Sequence, residues 1–410
     1  MKSSVQFGAG KIGRGLVGRL FIQSGYDVLF VDANKELVEA LSNKRAYTVK
    51  TIGDDPHIYH VEGFRVTDVD HRDEIARAVA VADIVTTSVG PTAVKAVVPL
   101  IREGLELRAK GIDVSVGAGA GAGVGAGAAG RKPLNIVACE NIPRASSVLR
   151  GYILEGCSPE CRRFVEENVG FPEAQIGTIA PTILQPIEGE DPLTVFTESN
   201  EEFYIHKLGL VGGVPDVKGV HFVDDIDAYV ERKVFVVNTG HAVAAYTGYL
   251  KGYEFIHESM RDPETRAIVE GALDETSRLL VAQHGFDAEE QRVYTARALR
   301  RFANADMKDP ISRLGREPLR KLGPSDRLVR PARMAMKFGI VPDDIATGIA
   351  AALFYDAPSD AQAVELAKKV AEIGVEGVLR EVSEISMDEE LGRLVAAGLE
   401  KVRAMRKKGE

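Results

Sequence analysis
The chain has little cysteine: Cys139, Cys157 and Cys161 are the only three in 410 residues. A small, odd number excludes a disulfide framework and points to a reducing compartment, the cytoplasm. Cys157 and Cys161 are close enough to clip a metal, but no second ligand pair lies near them in the sequence, which argues against a structural zinc. The chain also lacks any apolar run of the roughly 18 residues that a spanning helix needs. Lys2 is followed by a strand-like Ser4-Val5-Gln6-Phe7 and a glycine-rich turn, not by an apolar segment, so no signal peptide is expected. Basic excess is missing as well. With 51 Lys and Arg against 60 Asp and Glu the net charge is −9, which excludes a general binder of nucleic acid or anionic membrane. No Gly-x-Ser-x-Gly elbow supports a hydrolase. Tyr47, His57, His60 and the Asp54-Asp55 pair fall in a predicted loop or hairpin and make a poor metal site.

What is present is an ordinary globular composition, 45% apolar and 27% charged, at a length suited to two or three domains. Over the first 140 residues, β-branched runs (Val28–Val31, Ala82–Thr87, Leu134–Cys139) alternate with helical stretches at 34–42 and 92–109. That alternation predicts βαβ units around a parallel sheet. Residues 117–130 are Gly and Ala with one Val, a flexible insertion with no side chains to build a core. Residues 177–207 are strand-like and punctuated by Pro181, Pro186 and Pro192, which predicts a sheet extension. Long helical stretches then follow at 224–251, 263–284, 288–303, 342–354, 360–380 and 388–407. The expected architecture is α/β: a Rossmann-type domain over 1–204 and a mostly helical domain over 205–410, with a small-molecule site at their cleft.

Gly8-Ala9-Gly10-Lys11-Ile12-Gly13 follows a short apolar strand and opens a helix. In this context Gly8 permits the tight turn, Gly10 lets backbone approach a pyrophosphate, and Gly13 lets the helix pack on the strand. The second strand ends in Asp32, where a carboxylate accepts hydrogen bonds from ribose hydroxyls and repels a 2′-phosphate. NAD is therefore favoured over NADP, with Lys11 at the mouth of the loop as the opposing feature. Val89-Gly90, at the end of the fourth strand, is expected beside the nicotinamide half.

A second set of polar residues interrupts an apolar helical stretch: Lys233, Asn238 and His241. On an ideal α-helix, Asn238 lies about 140° and His241 about 80° from Lys233, so all three share one broad side. A lysine in such surroundings, near a positively charged nicotinamide, has a depressed pKa and suits a general base acting on an alcohol. Spacing alone leaves the ordinary reading open too, a solvated lysine and a structural histidine.

Five motifs taken in order carry a resemblance: Phe7-Gly-Ala-Gly-Lys-Ile-Gly-Arg-Gly15, Val89-Gly90-Pro91, Ala138-Cys139-Glu140-Asn141, Lys233-x4-Asn238-x2-His241 and Pro318-Leu-Arg-Lys321-Leu. Together they resemble the polyol-specific long-chain dehydrogenases, the mannitol dehydrogenase family, over nearly the whole chain. The resemblance implies a monomeric, NAD-dependent enzyme with zinc-independent catalysis that interconverts D-mannitol 1-phosphate and D-fructose 6-phosphate. It places the catalytic lysine on Lys233, the oxyanion-binding asparagines on Asn141 and Asn238, and a substrate-binding histidine on His241. It further places substrate-binding cations on Arg313 and Lys321. The basic run they bracket reads either as a solvated basic face or as a phosphate site, with Arg316 as an added phosphate contact and Arg320, Arg327 and Arg330 as lesser participants. Lys11 replaces the Asn usual in relatives, and 117–130 is an insertion. A free-polyol dehydrogenase or hexuronate reductase keeps the same mechanism. A non-catalytic NAD-binding regulator is the reading from another class, and the intact Lys233, Asn238 and His241 set argues against it.

Overall fold
The computed structural model describes residues 2–53, 55–111, 132–180 and 189–409. The insertion at 117–130, Asp54, Pro181 and Pro186 lie outside the described residues. Two compact units divide at Ile226/Asp227. The break expected at 204/205 falls inside a strand, and the residues following it pair back into the first unit.

The strands, in chain order, are β1 (Ser3–Phe7), β2 (Asp27–Asp32), β3 (Ala46–Ile52), β4 (Ile58–Glu62), β5 (Arg65–Asp68), β6 (Ile84–Thr87), β7 (Leu134–Ala138), β8 (Val169–Gly170), β9 (Ala174–Ile176), β10 (Val195–Glu198), β11 (Phe203–His206) and β12 (Val220–Val223). Six of them form a wholly parallel sheet in the order β5-β2-β1-β6-β7-β8. Val28, Leu29, Phe30 and Val31 are all buried, so both faces of β2 are covered, which is why a parallel strand reads as an unbroken apolar run. The chain leaves β1 for β2 on one side and returns to β6 on the other. That reversal opens a crevice beyond the carboxyl ends of β1 and β6, the place where open α/β sheets bind ligands.

The strands expected over 177–207 are β10 and β11, and they build two separate three-stranded sheets. In one, β3 pairs antiparallel with β4 and parallel with β10. In the other, β11 pairs parallel with β12 and antiparallel with β9. His57 and His60 accordingly sit on the β3–β4 hairpin and its turn.

Helices Arg72–Val81 and Val94–Ala109 pack so closely that a Cβ on Gly104 would overlap Val79 and stand 2.8 Å from the Ala76 carbonyl oxygen. Arg108, from the same helix, is buried, and its guanidinium donates to the carbonyls of Ala82 (2.7 Å) and Lys132 (2.9 Å). A buried cation is tolerated there because those carbonyls satisfy it.

The second unit is helical, as expected. Its long helices are Pro263–His284, Ala288–Ala303, Asp343–Ala352, Ala361–Val382 and Glu390–Gly409. At its centre, Thr239–Leu250 is buried on every side from Thr239 to Gly248, the pattern of a helix enclosed by others. The stretch 224–251 is not one α-helix. It runs as Ile226–Arg232, then a segment of i→i+5 turns over Lys233–Asn238, then Thr239–Leu250.

Two glycine substitutions should move stability in opposite directions. Gly104→Ala overpacks a helix contact and should cost about 1–3 kcal/mol. Gly151→Ala, inside helix Ala145–Glu155 with open space around its Cβ, should gain about 0.5–1 kcal/mol. Urea unfolding midpoints at unchanged slope measure both.

Candidate active site
In the first unit the site begins at the turn after β1. Gly8 adopts φ +91°, and a Cβ there would stand 2.6 Å from the Ser88 carbonyl oxygen, so only glycine fits. A Cβ on Gly13 would overlap the Gly8 carbonyl oxygen, which lets the helix start directly against the turn. A Cβ on Gly10 would meet nothing within 4 Å, so the loop is open on that side. The helix opens with i→i+5 turns over Gly13–Gly18, then becomes α-helical over Arg19–Gln23.

Hydrogen bonds hold this turn in place. Gly8 N–H donates to the Val31 carbonyl at 2.8 Å, and Ala9 N–H donates to Asp32 Oδ2 at 2.6 Å. Asn34 N–H donates to the other oxygen, Oδ1, at 2.8 Å. Asp32 therefore braces the loop as well as ending β2, and each oxygen keeps a lone pair for a hydroxyl. Gln6, fully buried, donates from Nε2 to the carbonyls of Phe7 and Gly8 and to Ser88 Oγ. Arg14 donates to the carbonyls of Ala9 and Leu193, both at 2.6 Å. Lys11 is exposed.

Gln6 and Arg14 were not singled out from the sequence, although both stand inside or beside the motif. A polar Gln6 near the end of a buried strand, and a cation at Arg14 in the first turn of the helix after the glycines, were the available signals. Glu140 was missed too. Its carboxylate accepts from Thr87 Oγ1 at 2.7 Å and from Val89 N–H at 3.0 Å, fastening the Val89-Gly90 turn to the end of β7. Burial raises the pKa of this carboxyl, against the pull of those hydrogen bonds. Gly90, at φ +91°, has open space where a Cβ would be. Asn141 follows Glu140 and is exposed. An open Gly10, an open Gly90 and a braced carboxylate at Asp32 fit a dinucleotide laid along this crevice.

In the second unit, Lys233 and Asn238 are half-buried and bound the i→i+5 segment. In such a ladder the fifth residue follows close below the first, so Asn238 comes nearer the Lys233 side than an even 100° per residue puts it. His241, one turn on, is buried with its ring 4.3 Å from that of Phe302. Gly240 allows this approach: a Cβ there would stand 2.6 Å from Phe302. Thr239 Oγ1 donates to the Arg327 carbonyl at 2.6 Å, tying the start of this helix to the loop before helix Val329–Lys337.

Burial drives the His241 pKa well below the ordinary histidine value, helped by the charges of Arg301, Arg313, Arg327 and Lys321. The ring is neutral at physiological pH. Lys321 is itself buried, its ammonium donating to the Leu314 carbonyl and lying 5.9 Å from the Tyr246 ring. Burial, with Arg327 and Arg320 nearby, lowers its pKa to about 7. Arg313 is exposed and pairs with Asp309. Arg316 is exposed at the end of helix Ile311–Gly315. Arg320 is held by Glu317 and Asp326, both at 2.7 Å, and Arg330 by Glu231. The charges of Arg313, Lys321 and Arg327 thus all act on His241, as does that of Arg301, which was not singled out from the sequence; Arg327 is itself paired with Asp326 at 2.7 Å.

Two profiles of known families match the chain: the mannitol dehydrogenase Rossmann domain over residues 2–115 and 125–219, and the mannitol dehydrogenase C-terminal domain over 225–402. The chain is 39% identical to mannitol-1-phosphate 5-dehydrogenase of Anoxybacillus flavithermus over 384 residues, 93% of this chain and 95% of that one. It is 39% identical to the Bacillus licheniformis enzyme of the same name over 397 residues, 97% of this chain and 99% of that one. Among solved structures, Pseudomonas fluorescens mannitol 2-dehydrogenase in ternary complex with NAD and D-mannitol matches with a TM-score of 0.67 at 19% identity. That match covers all of this chain and 92% of the other, and it bears on the fold alone. No helix among the described residues is long and apolar enough to cross a membrane.

The two open and closed glycines separate binding from folding. Gly10→Ala should weaken nicotinamide dinucleotide binding by at least about tenfold, near 1.4 kcal/mol, with an unchanged thermal midpoint. Gly13→Ala should lower both. Fluorescence titration and thermal unfolding of the two variants check this.

Proposed function
The chain belongs to the mannitol dehydrogenase family, and on that premise we propose that it is an NAD-dependent oxidoreductase interconverting D-mannitol 1-phosphate and D-fructose 6-phosphate. The observation that carries the phosphorylated substrate is the set of cations around a neutral, buried His241: Arg301, Arg313, Arg327 and Lys321. A dianionic phosphate is drawn to positive charge of this kind, and guanidinium groups match its oxygens. The names of the relatives agree with this reading.

When bound, the nicotinamide supplies the acceptor and donor of hydride. Everything else falls to the chain. Gly8, Ala9, Gly10, Lys11, Ile12 and Gly13 form the phosphate-binding turn, and Val89 and Gly90 border the nicotinamide half. Asp32, held at both oxygens by backbone N–H groups, places a carboxylate at the end of β2. A ribose with free hydroxyls is accepted there and a 2′-phosphate is repelled, which selects NAD.

Lys233 takes the proton from the C5 hydroxyl of mannitol 1-phosphate during oxidation and returns it to the carbonyl oxygen during reduction. Asn141 and Asn238 donate N–H groups to that oxygen as it gains negative charge, each worth about 3–4 kcal/mol in the transition state. Neutral His241 hydrogen-bonds a neighbouring substrate hydroxyl. Arg313, Arg316 and Lys321 hold the phosphate end, joined by Arg301 and Arg327. With a lysine to move the proton and two amides to stabilise the oxyanion, the step needs no metal.

Three measurements test this reading. Purified chain should oxidise NADH with fructose 6-phosphate and far more slowly with fructose, with fructuronate or with NADPH; preference for fructuronate would instead make it a hexuronate reductase. Lys233→Ala should lose turnover by orders of magnitude while its affinity for NADH stays near wild type; wild-type turnover would remove Lys233 from the mechanism. Lys321 loses its positive charge as the pH rises through about 7, so KM for fructose 6-phosphate should climb over that range. In Lys321→Met, KM should be high at every pH and the climb absent.

A further inference from the structure
Cys157, Cys161 and Glu106 come together in the first unit at a corner that the proposed reaction does not use. Helix Ala145–Glu155 ends just before Cys157. Ser158 then caps helix Pro159–Asn168, its Oγ accepting from Cys161 N–H at 3.1 Å, with Pro159 in the first turn. This tight reversal brings the two thiol sulfurs to 3.3 Å. Glu106 reaches the same point from helix Val94–Ala109. One of its oxygens accepts from Ser158 N–H at 2.8 Å and the other from Ser158 Oγ–H at 2.7 Å. The two sulfurs and a carboxylate oxygen lie within 4.8 Å of one another. Cys161 is fully buried, and Cys157 and Glu106 are half-buried.

The chemistry of this group is selective. Two thiolate sulfurs and one carboxylate oxygen suit a borderline-soft, tetrahedral divalent cation and not a hard ion such as magnesium or calcium. The Cys-x3-Cys spacing lies in the range used by zinc sites. The sequence offered no second ligand pair beside the cysteines, and the fold supplies Glu106 from a separate helix in its place. Ser158 furnishes the outer hydrogen bonds that orient a ligating carboxylate.

We propose that Cys157, Cys161 and Glu106 form a site for one thiophilic divalent cation of the zinc class, separate from the dinucleotide and substrate residues. The two sulfurs bind as thiolates, their protons passing to solvent as the sulfur–metal bonds form, and Glu106 contributes one oxygen. Water takes the fourth position, since three protein ligands leave it open. The cation fastens the Val94–Ala109 helix to the corner at Ser158, so its effect is on stability and thiol protection, not on hydride transfer.

Cobalt(II) is the probe, because its bonds to sulfur give a charge-transfer absorption that nitrogen and oxygen ligands do not. The reduced, metal-free full chain should bind one equivalent with that band, and zinc should bleach it. Cys157→Ser should abolish the band. Glu106→Gln should keep it but require more than about tenfold higher cobalt. Zinc should raise the thermal midpoint of the wild type and leave that of Cys157→Ser unmoved. A measurement on the unmutated chain stands beside these: zinc should slow alkylation of Cys157, mapped by mass spectrometry, without changing that of Cys139. Absence of the band at one equivalent, its survival in Cys157→Ser, or alkylation of Cys157 indifferent to zinc would each overturn the assignment.

Discussion
The hydrogen bond from Ala9 N–H to Asp32 joins the turn after β1 to the end of β2, and the first unit's site is built outward from it. Two strand ends and the opening of a helix must meet within a few ångströms there. Glycine at positions 8 and 13 removes the side chains that would prevent the approach. Bringing backbone so close leaves polar groups away from water, and each such group needs a partner. Gln6, Arg14 and Asp32 provide those partners. Their hydrogen bonds fix the loop in advance, so its ordering is not charged against ligand binding. Glu140 does the same for the Val89 turn, on the opposite side of the point where the strand order reverses.

The second unit reaches a polar site by another route. Its central helix is buried on every side, a poor setting for charge, yet it carries His241, and Lys321 is buried as well. Burial and mutual repulsion answer the problem by shifting proton affinity: His241 stays neutral, and Lys321 is poised near neutrality. Other charges are paired instead. Glu231, two residues before Lys233, takes hydrogen bonds from Gln283, His284 and Arg330 and so anchors the helix from which Lys233 projects. Removing one partner from such a network exposes the rest to an unpaired charge, which is more damaging than the network is stabilising.

Both sites also share a backbone feature. Each begins with a segment of i→i+5 turns, Gly13–Gly18 in one unit and Lys233–Asn238 in the other. Such segments rotate the residues after them relative to an α-helix, and they cost regularity that packing elsewhere must offset. In the second unit the result is that Asn238 is turned toward the Lys233 side.

The parallel sheet, the glycine turn after β1, the Asp32 that ends β2, and the helices Pro263–His284 and Ala288–Ala303 were determined by the sequence itself, because periodicity, glycine placement and capping act over a few residues. The motifs around Lys233 and Pro318 pointed to Lys233, Asn238, His241 and Lys321 through family resemblance. The boundary at Ile226 was a tertiary decision, since β12 is held in the first unit by pairing with β11. So were the small sheets made from β10 and β11. Arg301 beside His241, Glu140 beneath Val89, and Glu106 against the two cysteines are likewise invisible to any reading along the chain. Each depends on side chains from separate helices or strands meeting in space, and the forces that bring them together, burial and electrostatic pairing, carry no sequence period.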